Sequence, residues 1–190
     1  MASQAPLIVG ISGIRGIVGA SLTTEIVARF ARAFGTWAKP RSTVLVARDT
    51  RSSGREFGAA CAAALQQTGC TVVDLGICST PTTKLMVGQL SAQGALIVTA
   101  SHNPGQWNGL KMVRGDGVFL NAAEGAEVER IFASEDFREA ASAASSVYPR
   151  AACNRAHIER ILDQVDVDGI RRAELSVAID YCNGVGSILI

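Results

Sequence analysis

Four short runs of β-branched and aliphatic residues, at 7–11, 43–47, 71–75 and 95–99, read as buried strands, and segments of helical period separate them. That alternation predicts an α/β layout. Between the first two runs, Ile26, Phe30, Phe34 and Trp37 recur at helical spacing. Thr23 suits the N-cap, Glu25 is favourable in the first turn, and Pro40 closes the helix. Phe57, Cys61 and Leu65 mark the apolar face of a second helix, with Gly69 where a left-handed C-terminal cap is wanted. A third helix starts around Pro81 and carries Leu85, Met86 and Leu90. Asn121 and Glu124 form a capping-box pattern that opens a fourth, running through Ile131 and Phe132.

From 134 to 149 the chain turns rich in alanine and serine and poor in large apolar residues, the composition of a loosely packed connection. A boundary near Arg150 divides the chain into residues 1–150 and 151–190. Beyond it Ile158, Ile161, Leu162 and Val165 predict an amphipathic helix, 175–180 a strand, and Gly184-Val185-Gly186 a turn. An apolar Ile188-Leu189-Ile190 directly after that turn would lack neighbours, so these residues are expected to belong to a second domain that continues further. No internal repeat is evident.

Composition narrows the function classes. With 48% hydrophobic and 18% charged residues in 190, the chain has enough apolar surface for a core. A formal charge of +1 without any Lys/Arg block argues against nucleic-acid binding. No apolar run is long enough to span a bilayer, and the first six residues lack the basic start of a signal peptide; the expectation is a cytoplasmic protein with no membrane partner. Five cysteines without a C-x-x-C pair suggest neither a disulfide framework nor a zinc site, and they read as small buried or half-buried side chains.

Polar residues concentrate in Thr99-Ala100-Ser101-His102-Asn103-Pro104 and Asn108-Gly109-Leu110-Lys111, directly after a buried strand. Pro104 and Gly105 turn the chain at the strand's C-terminal end, the edge where open α/β sheets bind ligands, so Ser101 would project into a cleft. A serine hydrolase built on Ser101 and His102 lacks a G-x-S-x-G elbow, an acid partner and an oxyanion signature. Arg15, between Gly13 and Gly16, reads by itself as a turn cation. Arg48, Asp49 and Arg51 read as a salt-bridged network bracing loops. His157 reads as a surface or packing residue, and Gly184 with Gly186 is too short for a dinucleotide fingerprint.

The T-A-S-H-N-P run with N-G-L-K downstream resembles the active-site signature of the α-D-phosphohexomutases, the family of phosphoglucomutase, phosphomannomutase and phosphoglucosamine mutase. Gly13-Ile14-Arg15-Gly16, residues 48–54 (R-D-T-R-S-S-G) and Ser79-Thr80-Pro81 agree in order and spacing. Residues 180–187 resemble the strand and glycine turn that open the family's second domain. The resemblance implies a mixed β-sheet packed between helices as the first domain, followed by the truncated beginning of a second α/β domain. It also implies a phosphoserine at Ser101 that exchanges phosphoryl groups with a hexose or hexosamine phosphate through a bisphosphorylated sugar. Lys111, Arg15 and His102 would be catalytic, Ser12 and Asn103 would bind substrate phosphate, and Ser101 would also contact Mg2+. A hexose bisphosphate would serve as activator.

Two departures stand out. Ile11 occupies a position where the family usually has threonine, and no Asp-rich metal loop occurs in these 190 residues. By themselves they are therefore expected not to isomerise sugar phosphates. The alternative from a different class is a stand-alone, non-catalytic binding or regulatory module derived from the mutase N-terminal domain.

Overall fold

The computed structural model describes residues 6–11, 13–140, 145–147 and 150–188. Seven strands form one sheet: β1 (Ile8–Gly10), β2 (Gly13–Ile17), β3 (Thr43–Arg48), β4 (Thr71–Ile77), β5 (Gly94–Val98), β6 (Trp107–Arg114) and β7 (Ser145–Val147). Their spatial order is β1-β2-β6-β5-β3-β4-β7. Strands β5, β3, β4 and β7 run parallel, whereas β1, β2 and β6 join through antiparallel pairings.

Side chains of a strand alternate between faces, and here both faces are covered. Val44 and Val46 point to one core with Leu96, Val98, Leu110 and Met112, while Leu45 and Ala47 join Ile97 and Val113 on the other. The first core is closed by α1 (Thr24–Trp37), α2 (Gly54–Gln67) and α4 (Ala122–Ser134), through Phe30, Phe34, Phe57, Leu65 and Val128. The second is closed by α3 (Thr80–Gln89) and α5 (Arg150–Leu162), through Met86, Val87 and Cys153. The layers are helix, sheet and helix.

The expected caps are in place. Thr23 accepts a hydrogen bond from the Ile26 amide, and Asn121 with Glu124 completes both halves of a capping box; Ser79, not foreseen as a cap, accepts from the Thr82 amide at the start of α3. Gly69 follows α2 with φ +78°, the left-handed geometry its position called for.

Several expectations are corrected. The strand at 7–11 is not buried: β1 is an exposed edge, with Ile8, Val9 and Ile11 open to solvent. Arg15 lies inside β2 rather than in a turn, because Gly13 to Ile17 pair with Lys111 to Trp107. The connection after Ser134 is anchored. Arg138 donates to the carbonyls of Gly35, Thr36 and Thr68 at 2.7–2.9 Å, and β7 adds a parallel strand beside β4. The Arg138 guanidinium, together with Phe137 packed on the first core, makes up for the apolar side chains that the composition lacks. Residues 175–180 form no strand; they have no partner strand among the described residues, and Leu175, Val177 and Ile179 are exposed. Val185–Ile188 form a short 3-10 turn, and a further helix, α6 (Val167–Arg172), precedes the exposed stretch. The apolar face expected on α5 is half exposed at Ile158, Ile161 and Leu162. Cys61, Cys70, Cys78 and Cys153 are buried as expected, but Cys182 is exposed. Leu189 and Ile190 lie outside the described residues.

Candidate functional site

Because β3 and β5 are parallel neighbours, the loops that follow them emerge side by side at the sheet's C-terminal edge. The first, residues 49–53, supplies Asp49 and Arg51. The second, residues 99–106, carries Ser101, His102 and Asn103. Ser101 takes φ +56°, a left-handed conformation uncommon outside glycine, and its amide donates to the Thr99 hydroxyl at 3.0 Å. The Asn103 amide closes a tight turn on the Ala100 carbonyl.

One side chain fixes that loop. The Arg51 guanidinium donates to the carbonyls of Ser101 (3.0 Å), Asn103 (2.6 Å), Pro104 (2.8 Å) and Trp107 (2.9 Å), and its Nε pairs with Asp49 at 3.2 Å. The other support comes from Asp49, whose carboxylate accepts from the Arg51 amide and from the Thr99 hydroxyl at 2.7 Å. Asp49 and Arg51 are only 17% and 13% exposed, so this is a largely desolvated pair. The bracing network expected of Arg51 and Asp49 exists; Arg48 contributes only a 3.5 Å contact to the Asp49 carbonyl. Asn108, fully buried at the start of β6, ties the same edge to Ser53 at 2.8 Å.

The described site residues divide between two adjoining hollows. Ser101, His102 and Asn103 line a cleft of about 630 Å³ with Asp49, Arg51 and Thr99. Its opposite wall is formed by Cys182, Asn183, Gly184 and Val185, a segment tied across by a 2.9 Å hydrogen bond from the Thr50 hydroxyl to the Asn183 carbonyl. Arg15 and Lys111 line a smaller hollow of about 90 Å³ with Thr99 and Ala100. Asn103 links the two hollows, accepting from Arg15 at 3.3 Å. Ser12 lies outside the described residues.

Lys111 sits on β6 between the buried Leu110 and Met112, so alternation turns it to the opposite face. Its ammonium lies 5.4 Å from the Phe119 ring centroid, and the Lys84 ammonium lies 4.8 Å from the same ring. Burial lowers the Lys111 pKa from its ordinary value, and the nearby charges of Arg15 and Lys84 lower it further. His102 is exposed and forms no hydrogen bond among the described residues. His157 is not a bare surface residue: its Nδ1 meets the Thr82 hydroxyl at 2.8 Å and joins α5 to α3.

No group of three or more His, Cys, Asp or Glu side chains among the described residues is placed to hold a metal ion. Asp49, the carboxylate beside the cleft, already has its oxygens engaged by Arg51 and Thr99. The residues present do not make a magnesium site by themselves, since that ion wants several oxygen donors in octahedral geometry.

Residues 6–139 match the family model described as phosphoglucomutase/phosphomannomutase, alpha/beta/alpha domain I. The chain belongs to the phosphoglucomutase/phosphomannomutase family. Among curated relatives, it is 37% identical over 183 residues to a phosphoglucomutase/phosphomannomutase of Thermococcus kodakarensis, covering 94% of this chain and 40% of that one. It is 34% identical over 181 residues to a phosphoglucosamine/phosphogalactosamine mutase of Sulfurisphaera tokodaii, with 94% and 40% covered. A crystal structure of a phosphoglucomutase/phosphomannomutase family protein from Burkholderia thailandensis superposes with a TM-score of 0.71 at 27% identity, covering 83% of this chain and 37% of that one. The chain spans about two fifths of the length of the curated relatives it matches. The family fold accounts for the mixed sheet between helices. No described helix is long and apolar enough to cross a membrane.

Three contributors escaped sequence reasoning: Thr99 as the hinge between Asp49 and the Ser101 amide, Lys84, and Phe119. The T-x-S spacing signals the first, because a threonine hydroxyl commonly accepts from the amide two residues on. Lys84 and Phe119 carried no local signal; they meet Lys111 only through packing.

Proposed function

We propose that this chain supplies the phosphoryl-carrying wall of an enzyme that moves phosphate between positions 1 and 6 of a hexose or hexosamine. Ser101 is the carrier. The observation that supports this most is the Ser101 loop itself: a left-handed serine exposed at a strand end, facing a cleft large enough for a sugar phosphate, over a backbone clamped by Arg51. A flexible loop would lose the in-line geometry that phosphoryl transfer needs.

In the forward step the bond between phosphorus and Ser101 Oγ breaks, a sugar hydroxyl oxygen bonds to the same phosphorus, and the hydroxyl proton leaves to a base. The bisphosphorylated sugar then presents its other phosphate, which returns to Ser101 Oγ and leaves the product monophosphate. Lys111 and Arg15 neutralise charge on the phosphoryl oxygens, and the lowered pKa of Lys111 suits it to proton transfer as well. Arg15 is oriented by Asn103. His102, exposed in the cleft, is the candidate donor to the sugar or its phosphate. Ser12 keeps its assignment as a phosphate contact. Magnesium would contact a phosphoryl oxygen on Ser101 and draw its other ligands from outside the described residues; a hexose bisphosphate would prime the serine. The relatives' names span glucose, mannose, glucosamine and galactosamine phosphates, so the sugar is left at that class. Residues 1–150 are read as the first domain and 151–190 as the start of the next, located in the cytoplasm.

The test is phosphopeptide mapping after incubation with glucose 1,6-bisphosphate and magnesium. The Ser101 peptide is expected to gain one phosphoryl group, and Ser101→Ala to gain none. Phosphate appearing elsewhere with Ser101 unmodified would overturn the assignment.

A further inference from the structure

Only three lysines occur in the sequence, Lys39, Lys84 and Lys111, against fifteen arginines. Two of the three meet on one ring. The Lys84 ammonium stands 4.8 Å from the Phe119 centroid and that of Lys111 5.4 Å, within the range at which an aromatic face attracts a cation. Lys84 comes from α3, Lys111 from β6, and Phe119 from the segment just after β6 that bridges back to Val113. Arg15 approaches Lys111 from β2. No carboxylate forms an ion pair with Arg15, Lys84 or Lys111 among the described residues; the ion pairs there all join carboxylates to other arginines. The sheet thus gathers three cations and one ring without an internal counter-charge.

We propose that Lys84 is a positioning residue for Lys111: both ammonium groups share the Phe119 ring, and the like charge of Lys84 limits where the Lys111 amine can rest. The inference rests on the reading of Lys111 as a phosphoryl-site cation. Two like charges at one ring repel, so Lys84 keeps Lys111 toward Arg15 and the hollow beside Thr99. Lys84 also makes the charged state of Lys111 less favourable, in the same direction as burial and Arg15. It therefore makes a proton easier to release from an amine that would otherwise hold it tightly. Lys84 touches no reacting atom in this scheme; it acts through Lys111.

Three lysines make the test direct. Reductive methylation with 13C-formaldehyde labels Lys39, Lys84 and Lys111 while keeping their charge, and the dimethylamine signals are followed by NMR against pH after phosphatase treatment. In Lys84→Met the Lys111 midpoint is expected to move to higher pH, because a like charge has gone, while Lys39 stays unchanged as the internal reference. In Lys84→Arg the charge is kept and the Lys111 midpoint is expected to remain at its wild-type position. A Lys111 midpoint unmoved in Lys84→Met overturns the proposal, as does an equal move in Lys84→Arg. The readout is an amine titration rather than turnover. A flat result with phosphate on Ser101 removes Lys84 and leaves the transfer reading intact. A shifted Lys111 with no phosphate on Ser101 supports the Lys84 pairing and rejects the transfer reading.

Discussion

Replacing Arg51 with leucine is expected to lower folding stability by about 3 kcal/mol and to free the Ser101 loop, the typical scale for removing one partner of a largely buried, hydrogen-bonded ion pair. Leucine preserves apolar volume and deletes every donor. Asp49, 17% exposed, would keep its charge without a cation, and the carbonyls of Asn103 and Trp107 would lose partners that water can only partly replace. Three carbonyls of the loop and that of Trp107 at the start of β6 converge on a planar fork, a pattern the three donors of a compact ammonium cannot reproduce. Arg51→Lys should therefore recover less than half of the loss. Urea unfolding measures the stability, and amide hydrogen exchange at residues 101–107 reads the loop. A loss below ~1 kcal/mol, the scale of an exposed pair, would show that the clamp contributes little.

The second large effect concerns chemistry rather than folding. Lys111→Met is expected to reduce kcat/KM of the complete enzyme by about 2 to 4 kcal/mol of transition-state stabilisation, the size of one well-placed electrostatic contact. Its folding stability should not fall. The sign follows from linkage: burial, Arg15 and Lys84 all depress the Lys111 pKa, so the folded chain bears a penalty for holding that ammonium. The penalty is fully present below the folded pKa and is relieved as pH rises from the folded toward the unfolded value. At neutral pH, methionine removes a disfavoured charge and keeps most of the aliphatic stem. Wild-type kcat/KM in Lys111→Met would take Lys111 out of the mechanism. A strongly destabilised but active variant would mean that its role is packing.

The alternation of β3, β4 and β5 with α1, α2 and α3 was readable from the chain, because burial on two faces forces recognisable periods; β2, β6, β7 and α6 were not. Val44 to Ala47 and Ala95 to Val98 are apolar throughout, as a strand covered on both sides must be, and α1 repeats its bulky residues at helical spacing. Caps were readable too. Thr23, Asn121 and Gly69 act within a few residues of themselves, so their chemistry survives translation into sequence pattern. The chemical identity of the loop at 99–104 was equally local, since Thr99, Ser101, His102 and Asn103 lie within five residues after one strand.

Tertiary structure alone decided the rest, and the common reason is distance along the chain. Arg15 was read as a turn cation because its flanking glycines are local, whereas β2 is held in the sheet between β1 and β6, the latter nearly a hundred residues later. The segment 175–180 has every strand propensity yet remains an exposed coil, since a strand is stabilised by a neighbour's hydrogen bonds and not by its own composition. Arg138 anchors a stretch whose composition promised looseness, through carbonyls that belong to α1 and the turn after α2. The Ser101 loop depends on Arg51 in the same way, fifty residues upstream, and the Lys84–Phe119–Lys111 group is assembled from three separate elements. Sequence marked which groups are candidates for chemistry; only the parallel pairing of β3 with β5 and the antiparallel return of β6 brought their supports to one edge. Those pairings are long-range, so no local pattern of residues could encode the geometry of the site they build.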